Sequence, residues 1–143
     1  MSTPVWAVLA FAMWTIAVLT FTIGVQRWSL ILSGKAELKS FPGDQPHGSA
    51  FYRRATRAHA NCIENLPVFA AIVIAAQASG AHSPTLDALA AAAVVARVLQ
   101  TSTHLISGSN AAIGVRFSFL SVQLVAFFWM GALIALHAAS VSG

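Results

Sequence analysis

Four long apolar stretches, separated by three shorter polar ones, set the pattern of this chain. The first covers residues 4–26, enough to cross ~30 Å of hydrocarbon at ~1.5 Å per helical residue. It follows MSTP, which has no basic residue, and it is too long for the apolar part of a signal peptide. It therefore reads as a retained membrane span, with Arg27 and Trp28 marking its interfacial end. Residues 29–49 form a polar loop punctuated by Gly34, Pro42, Gly43, Pro46 and Gly48. Ser49 is placed as the N-cap of a second helix over 49–79, whose first turns project from the membrane. Pro67 falls inside it and should bend it, because proline cannot donate to the Ile63 carbonyl. A turn at 80–84 leads into a third helix over 85–106, rich in alanine (DALAAAAVVARVLQ) and so suited to close helix packing. After a turn at 107–110, a fourth helix over 111–138 carries Phe117, Phe119, Phe127, Phe128 and Trp129.

Composition fixes the environment of these helices. Hydrophobic residues make up 57% and charged residues only 8%, with a mean hydropathy of +0.74, against ~25% charged in a soluble domain. The fold class is all-α: an integral membrane four-helix up-down bundle, one domain over 1–143. Arg27, Lys35, Lys39, Arg53, Arg54 and Arg57 cluster around the first connection, and Arg116 lies just past the third. The second connection has no basic residue. The positive-inside rule then puts both termini outside and the first and third connections in the cytoplasm. Basic residues that frame membrane helices leave no soluble face for nucleic acid. A single cysteine, Cys62, excludes an internal disulfide.

The chemistry is expected where ionisable groups enter the apolar helices, since such groups are expensive in lipid. Arg53, Arg57, Asn61 and Glu64 share one face of helix two, with Ala55, Ala58, Cys62 and Leu66 opposite. Helix three has a stripe of Arg97, Gln100 and His104, and helix four has Arg116 with Gln123 two turns deeper. Glu64 lies about 10 Å beyond Arg57 along its helix, and Arg97 about 13 Å before Ile106 on the next. Opposite charges at matching depth predict a buried Glu64–Arg97 pair, structural or ligand-orienting. The remaining groups would line a cationic cavity, open to the cytoplasm, that suits a small anion. For Arg53 and Arg54, contact with phospholipid headgroups is the competing reading. Cys62 points away from the polar stripe of helix two and reads as a small packed side chain. His59 and His104 near one membrane face would permit a bis-histidine haem, with nothing else in its favour. There is no metal-spaced Cys/His set, Gly-rich phosphate loop or serine triad.

The segment RAHANCIENLP at 57–67 resembles the signature of the MAPEG family, the membrane-associated proteins of eicosanoid and glutathione metabolism. FPGDQPHGS before it, ARVLQTSTHL in helix three and the arginine opening helix four extend the likeness to bacterial members over essentially the whole chain. The resemblance implies a MAPEG-like homotrimer with glutathione in clefts between subunits, opening to the cytoplasmic side. It implies that Asn61 and Glu64 hold glutathione, that Arg57 braces the helix, and that Arg97, Gln100 and His104 line the cleft. Arg116 would face the thiol as the catalytic residue. Three positions depart from the eukaryotic pattern: Ala60 replaces an arginine that contacts glutathione, His104 a tyrosine, and Glu37 a first-loop arginine. The implied function is a membrane-bound glutathione transferase or peroxidase of the bacterial inner membrane, using glutathione as co-substrate without a metal. Its second substrate would be a lipophilic electrophile arriving among the membrane lipids. The alternative is a non-catalytic trimeric membrane protein that binds a lipid or another small anion.

Overall fold

The computed structural model describes residues 1–42 and 47–142. Of the first-loop punctuation, Gly43 and Pro46, with Asp44 between them, lie outside the described residues. Among the described residues, four long helices make up the fold: α1 (Thr3–Leu32), α2 (Ala50–Ser79), α3 (Pro84–Ile106) and α4 (Asn110–Ser142). All four are long and apolar enough to cross a membrane. The chain is an integral membrane protein of four-helix type.

Helix α1 continues beyond the predicted end at 26, into the first residues of what the sequence assigned to the loop. The membrane interface does not stop a helix, and the stop comes at Gly34. Its left-handed backbone (φ +70°) lets Lys35 N–H bond the Leu30 carbonyl at 2.9 Å and Gly34 N–H the Ile31 carbonyl at 3.0 Å. This is a Schellman closure, and Gly80 ends α2 the same way through Ala81 N–H to Ala76 O at 3.0 Å. The predicted Ser49 cap is present, with its hydroxyl accepting from Tyr52 N–H at 3.1 Å. Ser83 does the same for α3 through Leu86 N–H, with Pro84 in the first helical position. Helix α4 runs past 138 because nothing in HAASVS breaks it.

A π-helical segment, Leu19–Gly24, lies inside α1, and the Val25 N–H reaches back five residues to the Thr20 carbonyl. Such a turn holds an extra residue and rotates everything after it. Pro4, Ala7, Phe11, Thr15 and Val18 bury one face at steps of three and four, and the next buried residue, Ile23, comes five later. One turn further on is Arg27, whose Nε donates to the Tyr52 hydroxyl at 2.6 Å. A regular α-helix would put Gln26 on that face instead.

Pair contacts establish the antiparallel order. Ser2 meets Gln77 while Arg27 meets Tyr52, so α2 returns alongside α1. Arg54 reaches Leu105 and Cys62 reaches Thr101, so α3 runs back along α2. Gln100 bonds Gln123 on α4 across the short 107–109 turn. Helix α3 is central and packs on all three others. Its buried Ala90, Ala93 and Ala96 allow that close approach. The main core gathers Phe11, Phe69, Phe127 and Met130, with Phe69 and Phe127 stacked at 5.5 Å between centroids.

Except for Arg97, the basic residues lie at the end of this bundle where α1 finishes, α2 begins, and α3 meets α4. The expected topology has both termini on the non-cytoplasmic side. A reporter fused after His137 should read as external, and a cytoplasmic signal from it would reverse the orientation.

Candidate functional site

The two polar stripes predicted from sequence face different ways. On α2, Tyr52, Ala55, Ala58 and Cys62 are buried against the bundle. Arg53, Arg57 and Glu64 are exposed on the other side, with Asn61 half-buried beside them. The α3 stripe turns inward: Arg97, Gln100, Thr101 and His104 are all buried.

The expected Glu64–Arg97 ion pair is therefore not formed within the subunit. Among the described residues the only ion pair is Lys39 Nζ with Glu37 Oε2, 2.8 Å apart in the exposed first loop. The reason is helical phase. Cys62 is the α2 residue that faces α3, and Glu64, two positions on, lies about 200° further round at ~100° per residue. Cys62 and, more weakly, Glu64 are within electrostatic reach of Arg97. The Arg97 guanidinium instead lies over the Phe11 ring, 5.4 Å from its centroid, and the residue is 1% exposed. Its Nε and Nη2 have no hydrogen-bond partner. Buried polar atoms are nearly always satisfied, and an unpartnered buried cation is costly.

Cys62 does point away from the α2 stripe, but it points toward the one on α3. Its sulfur is 3.5 Å from Thr101 Oγ1, and the Thr101 hydroxyl donates to the Arg97 carbonyl at 2.8 Å. Gln123 is fully buried on α4, and its Nε2 donates to Gln100 Oε1 at 2.9 Å and to the Phe119 carbonyl at 3.0 Å.

Nearer the end of the bundle the structure brings cations together. Arg54, Arg57 and Arg116 all act electrostatically on His104. Arg54 also donates from Nε to the Leu105 carbonyl at 3.3 Å, so it joins α2 to the last turn of α3 instead of reaching only for headgroups. Arg116 is half-buried in the second turn of α4. Three arginines from two helices thus lie within electrostatic range of the His104 ring, beside the outward face that carries Arg57, Asn61 and Glu64.

Sequence reasoning passed over Tyr52 and the role of Arg27. Besides its hydrogen bond to Tyr52, the Arg27 guanidinium lies over the Phe41 ring at 5.2 Å and the Tyr52 ring at 5.8 Å. Beside them is a recess of about 320 Å³ lined by residues that include Leu30, Phe41, His47 and Tyr52. The available signal was that Tyr52 is the only tyrosine of the chain, and a buried tyrosine needs a partner for its hydroxyl. Among the described residues, no three His, Cys, Asp or Glu side chains gather in a way that could hold a metal ion.

Comparison with individual curated proteins gives no match. Against protein families, the match is to the model of the MAPEG family over residues 3–136. That span takes in α1, α2 and α3 and most of α4, with the outward α2 stripe, Arg54, Arg116 and His104, and on it the chain belongs to the MAPEG family.

Proposed function

We propose that the protein is a membrane-bound glutathione transferase or peroxidase that acts on lipophilic electrophiles, with a thiolate stabilised by Arg116. The observation that carries this reading is the polar stripe of Arg57, Asn61 and Glu64 that a single subunit leaves open, at the end of the bundle where Arg54, Arg57 and Arg116 lie within electrostatic range of His104. Glutathione carries two carboxylates and one ammonium, and becomes more negative when its thiol ionises. Arginines suit the carboxylates, and Glu64 suits the ammonium. Asn61, Gln100 and His104 add hydrogen bonds, and Arg97 contributes positive potential from within the subunit. An exposed Arg57–Glu64 stripe on a membrane helix is unfavourable against lipid. A neighbouring subunit of a homotrimer covers it and closes the cleft, with the opening at the basic, cytoplasmic end.

The reaction needs no base on the protein. The thiol proton leaves to water, and the sulfur attacks an electron-poor carbon. A C–S bond forms while the leaving group departs with its electron pair. A guanidinium close to the sulfur favours the thiolate and stabilises the charge that develops during attack.

Two measurements test the reading. Purified protein in mild detergent should conjugate a chloronitrobenzene electrophile only when glutathione is present, and it should run as a trimer by native mass measurement. A trimer that binds phospholipid or a simple anion, with neither turnover nor a glutathione-induced thermal shift, would favour a non-catalytic binding role. Ala60, where related proteins carry a further cation, is the feature that points that way. A monomer would leave the α2 stripe in lipid and overturn the cleft.

A further inference from the structure

The amide pair in the core of α3 and α4 has a fixed polarity. Gln123 is 0% exposed, and its side chain lies against the Phe119 carbonyl, one turn earlier on its own helix. A carbonyl can only accept, so the Gln123 amide must turn its nitrogen to it, and the opposite flip would bring two acceptors together. That same nitrogen donates to Gln100 at 2.9 Å, so the Gln100 atom facing Gln123 must be its oxygen. The orientation of one side chain thus dictates that of the next. The Gln100 oxygen is occupied, and its nitrogen, which makes no hydrogen bond among the described residues, points elsewhere. Gln100 keeps 5% of its surface open, on the stripe that also carries Arg97 and His104.

We infer that Gln123 is a positioning residue: through the Phe119 carbonyl it locks Gln100 as a hydrogen-bond donor, directed at an acceptor oxygen of an anionic ligand. This rests on the glutathione reading, for which the acceptor is a carboxylate or peptide carbonyl of the tripeptide. A free glutamine could present either its oxygen or its nitrogen and would discriminate poorly. A glutamine held in one flip rejects a ligand that offers a donor there, because two donors would then face each other in a dry site. The assignment also gives a purpose to an otherwise unfavourable feature. Gln123 Oε1 is fully buried with no partner, which a glutamine kept only for packing would not need.

Two experiments test it, one of them without any ligand. In protein labelled with 15N at glutamine side chains, the Gln123 amide protons should be protected from exchange with water, and those of Gln100 should exchange faster. Resonances are assigned with the near-isosteric Gln123→Met and Gln100→Met variants. The reverse order of protection would overturn the polarity. In the second experiment, glutathione affinity is measured by calorimetry for wild type, both single variants and the double variant. Gln123→Met should weaken binding about tenfold, and Gln100→Met by at least as much. If Gln123 acts through Gln100, adding Gln123→Met to Gln100→Met should cost nothing further. Wild-type affinity in Gln123→Met, or additive losses in the double variant, would sink the inference. Absence of glutathione binding by wild type overturns instead the identity of the ligand, while the exchange order still decides the polarity. Should Gln123→Met unfold, Gln123→Leu serves for the same cycle.

Discussion

Replacing Arg116 with leucine should abolish most glutathione-dependent turnover while leaving the protein folded and assembled. Arg116 stands in the second turn of α4, half-buried, with no acidic partner among the described residues. A structural cation at such a place would be expected to hold a carboxylate. Arg116 instead lies, like Arg54 and Arg57, within electrostatic range of His104, a concentration of positive charge that a bound anion relieves. A guanidinium keeps its proton in proteins, so its contribution is electrostatic and not that of a base. Removing one preorganised donor of this kind typically costs about 10²–10³ in turnover. The free thiol titrates near ~8.5, so without the arginine most bound glutathione should remain protonated at neutral pH. The thiolate difference absorbance of the complex should disappear in Arg116→Leu, and turnover should recover in part as pH rises toward the thiol's own range. Glutathione affinity should fall less than turnover, since Arg57, Asn61, Glu64 and the α3 groups remain. Wild-type turnover with an unchanged thiolate signal would make Arg116 a headgroup anchor and remove it from the chemistry.

How far the sequence reached depended on the kind of signal. Spans of about twenty or more apolar residues are read by composition alone, so four membrane helices, the cap at Ser49 and the turn at 80–84 were legible. The π turn was not, because its evidence is a five-residue step in burial from Val18 to Ile23, and burial is a tertiary fact. The same turn carries Arg27 onto Tyr52, a contact that the spacing of a uniform helix does not reveal. For the site, helical phase sorted the α2 residues correctly into Arg53–Arg57–Asn61–Glu64 and Ala55–Ala58–Cys62. Phase does not say which of two faces meets the neighbouring helix. A Glu64–Arg97 pair needs the polar face of α2 to meet α3, whereas the small residues, which permit close approach, are the ones buried. What defeated the Glu64–Arg97 pairing was azimuth.

That correction reverses the expected effect of changing Arg97. A buried ion pair would make its removal destabilising by ~3–5 kcal/mol, because the partner would be left uncompensated. Here the partner is exposed, and the unsatisfied charge is Arg97 itself, over Phe11 with two nitrogens unpartnered. Replacing such a group with an apolar side chain of similar length is often neutral or stabilising. Arg97→Met should therefore hold or raise the thermal midpoint of the ligand-free protein, and Glu64→Gln should leave it nearly unchanged. The loss should appear only with ligand present. A ligand at a hundred times its dissociation constant stabilises by about 2.7 kcal/mol, and in Arg97→Met most of that increment should vanish at the same glutathione concentration. The two readings of Arg97 then separate in one pair of melting curves. Destabilisation of the ligand-free protein by several kcal/mol would show that Glu64 and Arg97 pair after all, across subunits in the assembled protein. An unchanged glutathione shift in a stable Arg97→Met would show that the buried cation serves something other than the ligand.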